Sequence, residues 1–505
     1  MLALVVFLPC LAIWLSFTVY SFLLRYTNTK RKQLAFEELG LSAEASRSTR
    51  LIGFFHPYCN AGGGGERVLW TAIAALQRTE PDVVSVVYSG DTDASKSEII
   101  KKVSARFDIS LNPSSLHFVF LDSRWLVEDK TWTMFTILGQ SLGSMYMAWE
   151  AMSKLIPDLF IAQKDTMGYA FSFYVVNLMG GIPVGAYVHY PTISTDMLER
   201  VRSRKIWHTN TETVSSSAIL SKVKLFYYRI FMYYYARSLR IARFLMVNSS
   251  WTKNHVDAIL QHSDPLLDAF SVIPPFLFLR SPNAGFTHAE IVYPPCDTRE
   301  TAKFDLQGRE SIIMSVAQFR PEKDHAAQLC AFYHLLTMYP GHTASVKMVL
   351  LGGSRNTGDA ERVEGLRKLA RDLKIEDRVQ FIVNAPYSEM LDLLSRASIG
   401  MNTMVDEHFG INVVEYMSAG VIPVVHASGG PLNDIVIPIN GEPTGYHADS
   451  PETFAEALHS ALTLSSDEDL AIRKRARRWA LHRFSEEEFE KGWQASGWRR
   501  YLFAR

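Results

Sequence analysis

Apolar residues fall along this chain in short bursts, separated by longer amphipathic stretches. Residues 51–56, 83–88, 117–121, 158–162 and 183–188 form bursts of strand length with little alternation. Short, wholly apolar strands alternating with helices predict a parallel sheet covered on both faces. Two prolines, Pro294 and Pro295, then interrupt the rhythm and a charged segment follows, which places a domain boundary near Ile291. The rhythm restarts at 311–316 and continues through 346–352, 379–383, 399–402 and 422–425. The pattern therefore predicts an α/β protein with two doubly wound, Rossmann-like domains, residues 51–290 and 291–468. In such sheets a ligand sits outside the carboxyl ends of the strands. Residues 469–505, rich in arginine and tryptophan, read as helical and as crossing back over the first domain.

The N-terminus follows another pattern. From Leu2 to Leu24 there is no charged residue, and Arg25, Lys30, Arg31 and Lys32 follow. As a helix this run is long enough for roughly 30 Å of hydrocarbon. A cleaved signal peptide would carry its charge before a shorter core, so residues 1–24 are expected to be an uncleaved transmembrane anchor. The basic flank predicts that everything after Arg25 faces the cytosol, with residues 25–50 as a basic, polar linker.

Composition changes this picture little. A chain of 505 residues holds two or three domains with sizeable cores. Its 52 basic and 52 acidic side chains balance, which argues against a nucleic-acid partner. Cys10, Cys59, Cys296 and Cys330 are scattered without metal-ligand spacing, in keeping with a reducing compartment. Local charge is more telling. Between Lys222 and Arg243 six basic residues and seven aromatic ones occur without an acid. That mixture suits an interfacial helix on an anionic membrane, or a core helix with arginines on its wet face.

Chemistry concentrates in a few loops. Glu407 and Glu415 bracket a Phe409-Gly410 turn that leads into a helix at Ile411. Helix-start amides can hold a diphosphate, and a glycine lets backbone approach a ligand closely. After the first strand, Gly62, Gly63, Gly64 and Gly65 precede Glu66 and Arg67, a run able to form an anion nest. It is neither a Walker loop nor a dinucleotide fingerprint. The loop Gln318-Phe319-Arg320-Pro321-Glu322-Lys323 carries two cations suited to a leaving nucleoside diphosphate. His189 ends a strand where it would meet a sugar or serve structure alone, and Asn248 to Thr252 reads as a cap or a catalytic loop. Asp91-Thr92-Asp93 sits in a polar turn and is taken as surface rather than as a metal motif.

These loops resemble the nucleotide-sugar site of retaining glycosyltransferases of the two-Rossmann-domain (GT-B) type. Residues 56–70, 189–197 and 407–434 bring the resemblance closest to α-1,2-mannosyltransferases of the dolichol-linked, asparagine-linked glycosylation pathway. The resemblance implies two domains facing across a cleft. It implies transfer of mannose from GDP-mannose, with retention, to a mannosylated chitobiose on dolichyl pyrophosphate. Two successive additions at the cytosolic face of the endoplasmic reticulum membrane are implied, with no metal cofactor. Glu407, Lys323, Arg320 and His189 would serve catalysis. Glu415, Phe409, Gly410, Ile411, Gln318 and Asn384 would bind the donor, and residues 62–67 the acceptor diphosphate. The family's usual phosphate arginine is Gln318 here, so either Gln318 or Arg320 is left for the diphosphate. Ser428 to Pro431 would make a phosphate- or sugar-facing turn. Other glycosyltransferases of the pathway are candidate partners. A GT-B enzyme with another nucleotide sugar, and a non-catalytic scaffold, are the alternatives.

Overall fold

The computed structural model describes residues 2–164, 169–193, 195–203, 218–270 and 288–503. The chain forms two compact units. The first comprises Met1–Asn248, Thr252–Val292 and Glu490–Arg505, and the second Ser249–Trp251 with Tyr293–Phe489.

The first unit is built on seven strands: β1 (Arg50–Phe55), β2 (Val83–Ser89), β3 (Leu116–Phe120), β4 (Leu159–Lys164), β5 (Val184–Val188), β6 (Phe244–Val247) and β7 (Glu290–Ile291). Their order is β3-β2-β1-β4-β5-β6-β7, with every pairing parallel. All seven residues of β2 are buried, because helices on both faces leave no wet side for a polar alternation. The second unit carries β8 (Glu310–Val316), β9 (Lys347–Gly352), β10 (Val379–Val383), β11 (Ala397–Asn402), β12 (Ile422–His426) and β13 (Tyr446–Ala448). These are also parallel, in the order β10-β9-β8-β11-β12-β13. The ten strands expected from the apolar bursts are present. The three that were not expected, β6, β7 and β13, have four, two and three residues. Such short runs leave little periodicity to read.

Each sheet reverses its winding once, between β1 and β4 in the first unit and between β8 and β11 in the second. The crossovers before and after that point go to opposite sides, and loops leaving the two central strands open a crevice there. The glycine-rich loop leaves β1. The loop bearing Lys323 leaves β8, and the loop bearing Glu407 leaves β11.

The N-terminal helix, α1 (Leu2–Glu38), runs on through the segment expected as a linker. Asn28 both donates to and accepts from the Ile156 backbone at 2.8 Å, and Arg25 binds the carbonyls of Met179 and Leu178 at 2.7 and 2.8 Å. Lys32 pairs with Asp158 at 2.6 Å, and Phe36 is buried. Positions 25, 28, 32 and 36 recur every three or four residues, so one helix face makes all these contacts. The expected anchor falls on the first part of α1, where the side chains of residues 1–11, 13 and 14 lie outside the described residues. Among the described residues no helix is long and apolar enough to cross a membrane.

The basic-aromatic segment is corrected for most of its length. In the helix Ala218–Leu239, Arg229 pairs with Asp264, and Arg237 contacts Asp268 at 3.2 Å and the Tyr233 hydroxyl at 2.8 Å. Arg240, just beyond, donates to the carbonyls of Leu260 and His262, each at 2.7 Å. Tyr228, Phe231, Met232, Tyr233 and Tyr235 are buried. Arg229, Arg237 and Arg240 are thus internal ties to residues 260–268, and the aromatics from Tyr228 to Tyr235 are core or packed against it, while Phe226 is exposed.

The last residues return to the first unit. Trp493 stacks on Phe54 with ring centres 6.2 Å apart, and Tyr501 on Phe244 at 5.9 Å. Arg78–Glu490 and Arg499–Glu80 ion pairs fasten the segment.

Candidate functional site

In the second unit, β8 ends at Val316 and the chain turns through a single 3-10 turn, Pro321–Lys323. Asp324, at φ 44°, then caps the helix His325–Met338, accepting from the Ala327 amide at 3.1 Å. Thr403, the residue directly after β11, anchors this turn, donating to the carbonyls of Lys323 and Asp324 at 3.0 and 3.1 Å. Gln328 fixes the Thr403 hydroxyl in turn, at 3.1 Å. The backbone around Lys323 is therefore tied to the loop that carries Glu407.

Across the winding reversal, the Lys323 ammonium forms an ion pair with Glu407 Oε2. Asn402, the last residue of β11, donates to the same oxygen at 3.4 Å and to Asn412 Oδ1 at 3.3 Å. Asn412 donates onward to the Val316 carbonyl at 3.0 Å, and the Tyr416 hydroxyl accepts from the Val316 amide at 2.7 Å. A short network thus links the ends of β8 and β11 through the carboxylate. Burial works to raise the Glu407 pKa, but the Lys323 charge and hydrogen bond, with His408 and Asn402, outweigh it and hold the group below the ordinary glutamate value. Glu407 is an anion at neutral pH. His325, packed on Phe319 with ring centres 4.9 Å apart, is pushed down to about 4 by burial and by Lys323. It stays neutral and adds no second cation beside the lysine.

The Glu407 loop rests on the Ser428–Pro431 turn. Gly430 donates to the Glu407 carbonyl at 2.8 Å, and Ser428 Oγ accepts from the Asp406 amide at 2.7 Å. Gly429 has φ 64°, and a Cβ there would stand 2.2 Å from the Glu407 carbonyl oxygen. Only glycine fits this approach. The turn expected to face a ligand therefore serves as the platform beneath the Glu407 backbone.

The remaining second-unit residues divide. Gly410, at φ 109°, starts the helix Ile411–Ala419, on which Glu415 is half-buried. Phe409, expected beside the donor, is 3% exposed and packs edge-on against Phe484 at 5.5 Å, so it holds the turn from within. Gln318 and Asn384 both close on Gly353, at 3.9 and 3.7 Å from its Cβ position, over the ends of β8, β9 and β10. Asn384 accepts from the Ser354 amide at 2.9 Å. Arg320 is not drawn into the network; its guanidinium is 44% exposed and lies 3.9 Å from Glu322. Sequence reasoning did not single out Asn402, Thr403, Gln328 or a role for Asn412. The available signal was an asparagine ending a strand five residues before an acid.

In the first unit, the helix Gly64–Thr79 begins within the glycine run. The Glu66 carboxylate accepts from the amides of Gly62 and Gly63, the latter at 3.1 Å. The anion expected in this nest is thus supplied by the chain itself, for those two amides. Arg67 is buried and lies over the Phe107 ring at 5.6 Å. Asp91, expected at the surface, is 8% exposed. It accepts from the Asn60 amide at 3.0 Å and pairs with Arg124, bracing the start of the glycine-rich loop. His189 stacks on Tyr187 at 4.7 Å, and its carbonyl accepts from Asn248 at 2.9 Å. Asn248 also accepts from Thr252 at 2.6 Å, which accounts for the residues of that loop structurally.

Residues 49–260 match the family model described as ALG11 mannosyltransferase N-terminus, and residues 297–479 match Glycosyl transferases group 1. A protein of Homo sapiens named GDP-Man:Man(3)GlcNAc(2)-PP-Dol alpha-1,2-mannosyltransferase is 43% identical over 460 residues, 90% of this chain and 88% of that protein. Its namesake from Dictyostelium discoideum is 43% identical over 445 residues, 87% of this chain and 82% of its own length. Among solved structures, Anabaena Alr3699/HepE in complex with UDP and glucose superposes with a TM-score of 0.56 at 15% identity, over 88% of this chain and 99% of that one. OtsA in its apo form reaches 0.61 at 12%, over 90% and 100%. At such identities the structural likeness establishes the fold alone.

Proposed function

This chain belongs to the GDP-Man:Man(3)GlcNAc(2)-PP-Dol alpha-1,2-mannosyltransferase family, and from that premise we propose how it performs the transfer. The chain is a glycosyltransferase that moves mannose from GDP-mannose, in α-1,2 linkage, to the lipid-linked Man(3)GlcNAc(2) acceptor. Identity of 43% across 90% of the chain carries this conclusion.

Configuration at the anomeric carbon is retained, and two mannoses are added in succession. The bond from mannose C1 to the β-phosphate oxygen breaks as the bond from C1 to the acceptor 2-hydroxyl oxygen forms on the same face. The acceptor proton passes to the departing phosphate oxygen. Lys323 neutralises the diphosphate charge that grows in this step, with Arg320 and the amides near Gly410 contributing. These cations and dipoles do the electrostatic work, and no metal is required. Glu407, ionised and fixed by Lys323 and Asn402, accepts hydrogen bonds from the mannose hydroxyls. Glu415 receives the ribose. A hydrolase would need two carboxylates flanking the anomeric carbon, a role these two residues do not take in this reading.

The relatives' acceptor carries a dolichyl chain, which keeps it in a bilayer. The chain works at the endoplasmic reticulum, held by the uncharged first part of α1 as a single span with both units in the cytosol. Charge-free composition from Leu2 to Leu24 and the basic residues after it support that topology.

The test is transfer from radiolabelled GDP-mannose to a lipid-linked trimannosyl chitobiose, with UDP-sugars in parallel and α-1,2-mannosidase digestion of the product. Mannosidase-sensitive product from GDP-mannose alone is expected. Transfer from a UDP-sugar only, or from no donor by folded protein, overturns the proposal.

A further inference from the structure

The support of Glu407 includes a titratable group that takes no part in the transfer step. Asp406, the residue before Glu407, has φ 56°. Aspartate tolerates this left-handed region without favouring it, so the backbone there needs to be held. Two contacts hold it. The Glu407 carbonyl accepts from the Gly430 amide at 2.8 Å, and the Asp406 amide donates to Ser428 Oγ at 2.7 Å. The first is a backbone contact, set once the chain has turned at Gly429. The second ends on a serine side chain, which has several rotamers and a freely turning hydroxyl.

His426 removes that freedom. Its Nδ1 lies 2.8 Å from Ser428 Oγ, and its carbonyl accepts from the Ser428 amide at 2.8 Å. Ser428 is thus tied to one residue through both its backbone and its hydroxyl. His426 ends β12, which has β11 on one side and β13 on the other. The next residue, Ala427, donates to the Ala448 carbonyl at 2.8 Å, just past the end of β12. The imidazole therefore stands on an interior strand, a firmer base than the loop that it steadies.

The same contacts assign the tautomer. A hydroxyl has one hydrogen to give. The Asp406 amide occupies a lone pair of Ser428 Oγ, and among the described residues Nδ1 of His426 is the acceptor that the hydroxyl hydrogen meets. Nδ1 is then unprotonated, and the neutral ring carries its hydrogen on Nε2. Three carboxylates act on this ring, Asp406 from its own loop, Asp449 after β13 and Asp324 at the helix cap, and all favour the cation. Burial outweighs them and holds His426 below the ordinary histidine value.

We infer that His426 is a positioning residue for the donor loop: Nδ1 takes the Ser428 hydroxyl hydrogen and so aims Oγ at the Asp406 amide, fixing the backbone that presents Glu407. This rests on the reading that Glu407 meets the sugar. Protonation of Nδ1 turns the acceptor into a second donor beside the Asp406 amide, and the Ser428 hydrogen loses its place. Activity therefore falls as pH drops through the His426 value, which lies below about 6.5. Glu407 keeps its charge over that interval, because its own value is held below that of an ordinary glutamate.

Two variants of the full-length, detergent-solubilised chain test this. His426→Ala removes the acceptor, whereas His426→Asn keeps one, Oδ1, near the place of Nδ1 and does not titrate. With radiolabelled GDP-mannose and the lipid-linked trimannosyl chitobiose, His426→Ala should lower kcat about fivefold at pH 7.5 with the acceptor KM unchanged, the effect of one lost hydrogen bond. His426→Asn should restore most of that rate and flatten the acidic limb between pH 5 and 7. Hydrogen–deuterium exchange of the peptide from Met404 to Gly410, without substrate, should quicken in His426→Ala and return toward native in His426→Asn. The exchange arm needs no turnover, so an inactive native chain refutes the proposed function and still leaves His426 open to refutation. Native kcat and exchange in His426→Ala overturn the inference, even where the melting temperature falls. So does an Asn variant no better than the Ala one, or one that keeps the acidic limb.

Discussion

Removing the Lys323 charge should reveal how the buried carboxylate is tolerated. In Lys323→Met, Glu407 keeps its place but loses the partner whose charge outweighs the cost of burial. The two side chains are 22% and 11% exposed, so solvent screens the pair only in part. Breaking a fully buried pair costs more, and with Asn402 still donating the expected loss is about 2–3 kcal/mol. For a unit of this size that lowers the thermal transition by about 4–12 °C. The pH dependence gives the sign. In the native protein the folded-state pKa is depressed, so Glu407 contributes stability above its unfolded value, and that contribution is lost as pH falls through the folded value. In the variant only His408 and Asn402 still oppose burial, so the folded pKa rises, and the ionised carboxylate destabilises at neutral pH and is relieved on acidification. The difference between native and variant is then largest near pH 7 and shrinks as pH falls toward the unfolded glutamate value of about 4.3. Adding Glu407→Gln to Lys323→Met should recover about half of the lost stability, because no buried charge remains to be left alone. Thermal unfolding of the detergent-solubilised full chain, followed by circular dichroism and tryptophan fluorescence from pH 4.5 to 8, reads all of this. A Lys323→Met protein as stable as the native one at pH 7, or a double variant no better than the single, would refute the reasoning.

Glu407→Ala should reduce kcat by at least about 100-fold while the circular dichroism spectrum is unchanged, since a group proposed to meet the reacting sugar is lost; near-native turnover would remove Glu407 from the mechanism. Asn412→Ala removes the link from Val316 to Asn402, and a lost hydrogen bond of about 1 kcal/mol should lower kcat some fivefold with the acceptor KM unchanged. If only the melting temperature moves, Asn412 is structural and does not position the carboxylate. Gly429→Ala places a Cβ against the Glu407 carbonyl at a positive φ and should cost about 2–4 kcal/mol. An unshifted thermal transition in that variant would mean that the platform can yield.

Lys323 and Glu407 were legible in the sequence because each sits in a loop that follows a recognisable apolar strand. Their meeting was not derivable from spacing alone. It depends on β8 and β11 being neighbours, and on their register, which is irregular between Ala397 and Ile399. That same pairing decides that Asn402 faces the carboxylate, which is why the asparagine carried no label beforehand. Arg229 and Arg237 mark the opposite case. Their composition fits a membrane face as well as an internal tie, and the deciding acids, Asp264 and Asp268, lie 35 and 31 residues farther along. Glu66 was read as part of a ligand loop, although a glutamate in the first turn of a helix is also a ready cap for its own amides.

The Lys323–Glu407 contact spans 84 positions, and this separation orders events during synthesis. A ribosome delivers Lys323 long before the strand that will present its partner, and the Ser428–Pro431 turn that supports Glu407 comes later still. Until that turn has emerged, no shorter nascent chain contains the assembled pair, and contacts so distant in sequence form late in folding. Leu2–Glu38 is made first. The face of α1 that packs on the first unit therefore exists long before the Lys323–Glu407 pair can form, and a product truncated before Ser428 has α1 without the assembled pair.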